Sequence, residues 1–509
     1  MQHGSRIGGV RSILFSVFLV VVLVAGCGGE TATSEGSRPA ADVDPTATPQ
    51  TDFVESAPGT DNTESQIDDV ANEPTSVADD EPVTPAEDES ESTAEPAVVG
   101  TEDFTTRPLG AGALGIKGDW SKLDIDSPYL TTLGSFGGFF EISWCRIEED
   151  PGDRNWTRLD RVVSDAGDLD IALLIKIRVG SCWVTDGEAS DSRGERERRA
   201  SDMPVDMDAY NEFVTSLVGR YVDSSVVAYA IENEVNGEGF WAGTVDEFVT
   251  LSEAGARAVR AADPSVYILD SGVSSTTYGS ALAADLLARD EEDRAIEVFN
   301  TYYERRVRRR ADFPIVTSAD ELRQVLSGGQ AGRNVAYAQA SVDLAARGVV
   351  DGYQLHFYEK FVSIPVLMEY VNRSVNFAPV HVVEAGIFWQ NGDQDQLTNE
   401  SAQLVAGLFE HGAASVTFLP LRSNGEGIRW GLLDPQGDPP KRAELFAQLS
   451  TAIQGASPRV GVLPLGDRVA VIFGSDDGAV AVLKDVGGET PDIEVVMGET
   501  PELLAADLT

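Results

Sequence analysis

Short apolar runs recur along this chain and alternate with amphipathic stretches. Val226 to Ile231, reading V-V-A-Y-A-I, has no polar interruption, the pattern of a parallel strand buried on both faces. Comparable runs predict strands at 110–116, 138–145, 171–179, 266–269, 352–357, 379–383 and 415–419. Helical patterns fall between them, at 157–166, 207–221, 398–411 and 441–453, and Phe213, Leu217 and Val218 mark the buried side of the second. Thr244-Val245-Asp246-Glu247 reads as a capping box that opens a helix, and Asp263-Pro264 stops it. Strand and helix alternate through eight strands, which predicts an α/β chain folded as a (β/α)8 TIM barrel over residues 105–455. Almost eighty residues separate the fifth and sixth runs, more than one crossover helix needs, so inserted helices are expected there.

Both ends of the chain depart from this rhythm. Residues 1–27 join a positive leader, Arg6 and Arg11, to the apolar stretch 13–24 and then to Val24-Ala25-Gly26-Cys27. This is an export signal. Its last tetrapeptide resembles the bacterial lipobox, which implies lipid on Cys27; an ordinary secretory signal is the alternative. The segment 28–104 is Ser, Thr, Pro, Ala, Asp and Glu with almost no apolar surface, a disordered acidic linker. At the other end, 469–473 and 479–483 flank Ser475-Asp476-Asp477-Gly478 as a hairpin, so 456–509 is expected to form a small C-terminal β domain.

Composition narrows the partners. The chain has 84 acidic against 38 basic residues, a net charge of −46, and shows no basic patch, which argues against nucleic acid. Four histidines and two remaining cysteines show no ligand spacing, so neither metal nor cofactor is expected. Cys145 and Cys182 just follow two neighbouring strands in an exported chain and are the candidate disulfide.

Candidate chemistry gathers at strand ends. Glu232, Asn233, Glu234 and Asn236 arrive together after the 226–231 strand, and Gly237 and Gly239 let the backbone turn. Glu384 stands at the end of the seventh strand, and active sites of such barrels lie at the C-terminal ends of strands. Two carboxylates facing one mouth suit glycoside hydrolysis, in which one group donates a proton to the leaving oxygen and the other attacks or activates water. His356 and Tyr358 end the sixth strand, suited to holding a carboxylate or a hydroxyl. Trp144, Trp183, Trp241 and Trp389 follow the second, third, fourth and seventh strands, and such aromatic faces stack on sugars.

These pieces resemble the clan A glycoside hydrolases, retaining (β/α)8 enzymes of the family 5 and family 39 kind. The likeness rests on W-C-R-I-E at Trp144 to Glu148, N-W at Asn155, Y-N-E-F-V at Tyr210 to Val214, E-N-E-V-N at Glu232 to Asn236, H-F-Y at His356 to Tyr358, V-E-A-G at Val383 to Gly386 and W-G-L-L-D at Trp430 to Asp434. It implies Glu234 as acid/base, Asn233 as partner of the sugar 2-hydroxyl, Glu384 as nucleophile and His356 and Tyr358 as its neighbours. Two features depart from it. The strand-two arginine common in such enzymes is replaced by Gly138-Phe139-Phe140-Glu141, and the strand-eight tryptophan by Leu419-Pro420-Leu421-Arg422, where Arg422 is a candidate substitute. The expectation is a monomeric, exported, membrane-anchored lipoprotein that hydrolyses β-linked extracellular oligo- or polysaccharide. A non-catalytic carbohydrate-binding surface lipoprotein on the same barrel is the alternative.

Overall fold

The computed structural model describes residues 104–110, 112–135, 137–185, 200–306, 311–387, 393–423, 431–486 and 492–509. Its centre is a ring of parallel strands: Leu114–Ile116, Gly137–Ser143, Ala172–Arg178, Val226–Ile231, Tyr267–Leu269, Tyr353–Phe357, Val380–Ala385 and Ser415–Phe418, the first to eighth barrel strands. The second to fifth form one hydrogen-bonded sheet, and the sixth, seventh, eighth and first form another. The sheets meet at two seams. A parallel bridge joins Leu269 to Gly352. At the other seam a Cβ on Gly115 would lie 2.4 Å from the Gly137 carbonyl oxygen, an approach only glycine allows.

Phe139, Leu174, Ala228, Ala230, Leu269 and Val383 form an apolar cluster of their own. They come from the second to fifth strands and, from the other sheet, the seventh, so they meet inside the ring. A larger core fills the space between strands and helices.

The helices follow the pattern closely. Thr157–Asp168 and Met207–Arg220 lie after the second and third strands, and the Thr244 capping box opens Val245–Ala262. The helix expected from residue 398 begins at Gln394, because Asp393 Oδ1 accepts from the Gln396 N–H at 2.8 Å and caps it four residues earlier. Among the described residues between the fifth and sixth strands stand four helices, Thr277–Ala288, Glu292–Tyr302, Ala319–Leu326 and Gly329–Ala346.

The C-terminal β region needs a correction at both ends. It is a five-stranded antiparallel sheet whose outer strand is Thr105–Pro108, paired with Arg459–Leu465, so the start of the expected barrel segment belongs to this sheet. A last helix, Pro501–Leu508, covers one face through Leu504 and Ala505. The other face joins the barrel core through Val471, Phe473, Val480 and Val482, with the Phe473 ring 5.2 Å from that of Phe409. Four-residue edge strands carry little pattern of their own, which is why 105–108 was not legible. The export signal, Cys27, the acidic linker before residue 104, Trp389 and Trp430 lie outside the described residues.

Candidate active site

The fourth strand ends in an unusual backbone. Glu232 and Glu234 have φ of 68° and 45°, left-handed values that cost a non-glycine residue about 1–3 kcal/mol each. Contacts from three sides hold the turn. The buried Glu232 carboxylate accepts from the Val179 N–H at 2.7 Å and lies 3.7 Å from Arg178 Nε, fastening the third strand to the fourth. Asn236 donates to Ser274 Oγ and Asn334 Oδ1. Arg333, from the inserted helix Gly329–Ala346, donates to the carbonyls of Val235, Asn236 and Trp241. Burial pushes the Glu232 carboxyl up to about 7, against the Arg178 charge and the Val179 and Ser201 hydrogen bonds, so this residue fastens backbone rather than facing the mouth.

The seventh strand delivers Glu384 through an irregularity. Val382 pairs with Leu355 and Glu384 with His356, leaving Val383 as an extra residue that enters the barrel interior. A bulge of this kind re-aims the following side chain, here into the mouth. Glu384 Oε1 accepts from Lys176 Nζ at 2.6 Å and Oε2 from the Tyr358 hydroxyl at 2.9 Å. Burial alone would raise this carboxyl; the charges of His356 and Lys176 and the hydrogen bonds from Lys176 and Tyr358 override it and hold it at about 2.

His356 lies between the two carboxylates, with Nδ1 3.0 Å from Glu234 Oε1 and Nε2 3.6 Å from Glu384 Oε1. One oxygen of Glu234 and one of Glu384 lie within 4.8 Å of each other and of a His356 nitrogen. So close an approach of their nearest oxygens fits a retaining pair, with carboxyls about 5–5.5 Å apart, better than an inverting pair at about 6.5–9.5 Å. The same three groups have the reach of a metal site, but Lys176 Nζ stands among them, 3.4 Å from His356 Nε2, and a fixed ammonium there opposes a divalent ion.

The structure therefore brings Glu234, Glu384, His356, Tyr358 and Asn233 together, the last accepting from Lys176 at 2.9 Å. It does not bring all the tryptophans to the mouth. Trp144 is buried, stacked on Phe213 at 5.2 Å with its indole N–H on Glu148. Trp241 is fully buried with its indole N–H on the Thr244 carbonyl. Both are packing anchors, since a ring that stacks on sugar must keep a face free. Trp183 keeps 38 % exposure on the loop after the third strand, edge-on to Trp144 at 5.9 Å. Arg422 is taken up by Asp126 at 2.9 Å and lies over Tyr129, so it serves the first helix rather than the glutamates. Cys145 and Cys182 are joined, their Cα atoms 5.8 Å apart.

Lys176 is the residue the sequence argument missed. Its signal was a single lysine inside the apolar run 171–179, on a strand otherwise buried.

The family model for Cellulase (glycosyl hydrolase family 5) matches residues 142–319, from the end of the second barrel strand to the inserted helices. No curated protein matches the chain. Among solved structures, a family 39 glycoside hydrolase from Bacteroides cellulosilyticus WH2 superposes with a TM-score of 0.51 at 13 % identity, over 74 % of this chain and 71 % of that one. A glucosidase from Croceicoccus marinus gives 0.48 at 12 % identity, over 74 % and 76 %. A family 39 β-xylosidase from Caulobacter crescentus gives 0.45 at 13 %, over 74 % and 79 %. The family 5 model thus matches across the strand that carries Glu234, and the family 39 enzyme shares the barrel fold around it.

Proposed function

We propose that the chain is a retaining β-glycosidase of extracellular oligo- or polysaccharide in which Glu384 is the nucleophile and Glu234 the acid/base. The observation that carries this reading is the carboxylate pair within 4.8 Å, only one member of which is held by an ammonium. In the first step a Glu384 oxygen bonds to the anomeric carbon as the bond to the leaving oxygen breaks, and Glu234 gives that oxygen its proton. In the second, Glu234 takes a proton from water, whose oxygen bonds to the anomeric carbon while the ester to Glu384 breaks. His356, in contact with both, suits the shared control of charge between them. Asn233 suits the 2-hydroxyl of the bound sugar, and Trp183, the described candidate tryptophan with an open face, suits stacking. A scaffold that only binds sugar has no use for two opposed carboxylates with a cation on one.

The Val24-Ala25-Gly26-Cys27 tetrapeptide supports export and lipidation at Cys27, and replacing Cys27→Ser is expected to release the protein from membranes in a detergent-partition assay. For the mechanism, turnover of chromogenic β-glycosides followed by proton NMR should give the β anomer first. Incubation with a 2-deoxy-2-fluoro β-glycoside should leave its sugar on the peptide containing Glu384. An α anomer as first product, or a label elsewhere, overturns the assignment.

A further inference from the structure

Lys176 has no exposed surface, an expensive place for an ammonium unless fixed partners replace its water. It has partners from four elements. Its Nζ donates to Glu384 Oε1 on the seventh strand at 2.6 Å and to Asn233 Oδ1 after the fourth at 2.9 Å. It lies 3.4 Å from His356 Nε2 on the sixth strand. It also stands 4.2 Å from the ring centroid of Phe139 on the second strand. Leu174, two residues earlier and facing the same way, is ordinary apolar core, so burial on this strand does not itself call for a charge.

We propose that Lys176 is a positioning residue for the nucleophile, a single ammonium from the third strand that splints Glu384, Asn233 and His356 into one constellation. The ring of Phe139, on the second strand, walls the ammonium on one side. A fixed cation at Oε1 has two opposed consequences. It keeps Glu384 ionised and ready to attack in acidic solution, and it stabilises the carboxylate that departs when water breaks the glycosyl ester. The second effect favours release of the intermediate, so loss of the charge slows hydrolysis of the ester more than its formation once Glu384 is ionised.

The inference rests on the proposed roles of the glutamates, and the test separates the two. In Lys176→Met, the acid limb of kcat/KM is expected to move up by about 1–2 pH units, the shift that follows from removing a neighbouring opposite charge. The burst of aglycone should grow relative to the steady rate, and Lys176→Arg should restore most of both. An unchanged acid limb in a folded Lys176→Met protein that still labels at Glu384 overturns the inference alone. A wild-type protein that does not label at Glu384 overturns the reading beneath it. Should Lys176→Met not fold, wild-type protein with 15N-labelled lysine side chains decides. Trapping the 2-fluoro sugar on Glu384 removes the negative charge beside Nζ and should shift one buried ammonium resonance, and no shift refutes the contact's role.

Discussion

The ends of the fourth and seventh strands present the same side chain to the same mouth under different management. Glu384 has an ammonium on one oxygen and a phenolic hydroxyl on the other. Glu234 instead meets a ring nitrogen of His356 at 3.0 Å. The backbones differ too: one is re-aimed by an extra residue within a strand, the other by left-handed turns beyond it. The lesson is that neighbours, not residue type, set the two carboxylates apart.

The sharpest way to break this comparison is to remove each carboxylate. Glu384→Gln should lower kcat by more than about 10⁴-fold, the scale of losing a covalent nucleophile. Glu234→Ala should cost about 10²–10⁴-fold with poor leaving groups, and far less in the first step with activated aryl glycosides. Azide should restore part of the second step and yield a β-glycosyl azide. Equal losses across all leaving groups would show that the two glutamates are not divided in this way.

A milder change sharpens the comparison. Tyr358→Phe removes a hydrogen bond to a charged oxygen, which is about 1.5–3 kcal/mol, so kcat/KM should fall roughly tenfold or somewhat more. Because that bond helps hold Glu384 low, its acid limb should also move upward. A fall without movement of the limb would assign Tyr358 to substrate rather than to the nucleophile.

The smallest effect concerns Glu232, the carboxylate that fastens the fourth-strand turn. Its folded value of about 7 lies above the usual unfolded value of about 4.3. Between these the folded chain keeps a proton that the unfolded chain has lost, so Glu232 lowers stability as pH rises from about 4.5 to 7. In Glu232→Gln, melting temperatures measured across that window should lose this slope. A wild-type slope of the same size in the variant would place the titration elsewhere.

Much of this was legible in the chain. Strands of unbroken apolar residues announce themselves, and polar residues crowded after Ile231 and Val383 mark strand ends because nothing else stops an apolar run so abruptly. The disulfide was readable from strand adjacency. The tryptophans failed for a physical reason: an indole on a sequence string shows neither of its faces. Trp144 and Trp241 follow barrel strands as Trp183 does, yet their N–H groups find Glu148 and the Thr244 carbonyl and their rings are covered. Arg422 likewise looked free until the first helix offered Asp126.

By itself the sequence determined the alternating barrel, its long insertion and the two glutamates after the fourth and seventh strands, because these depend on periodicity and chain order. Tertiary structure alone decided which charge serves which carboxylate. Lys176 lies 208 residues from Glu384, and Arg333 lies 98 and 97 residues from the carbonyls of Val235 and Asn236 that it grips. Such pairings form only when the ring closes and the inserted helices settle over it. The strength of a buried ion contact depends on distances of a few ångströms that no local pattern encodes.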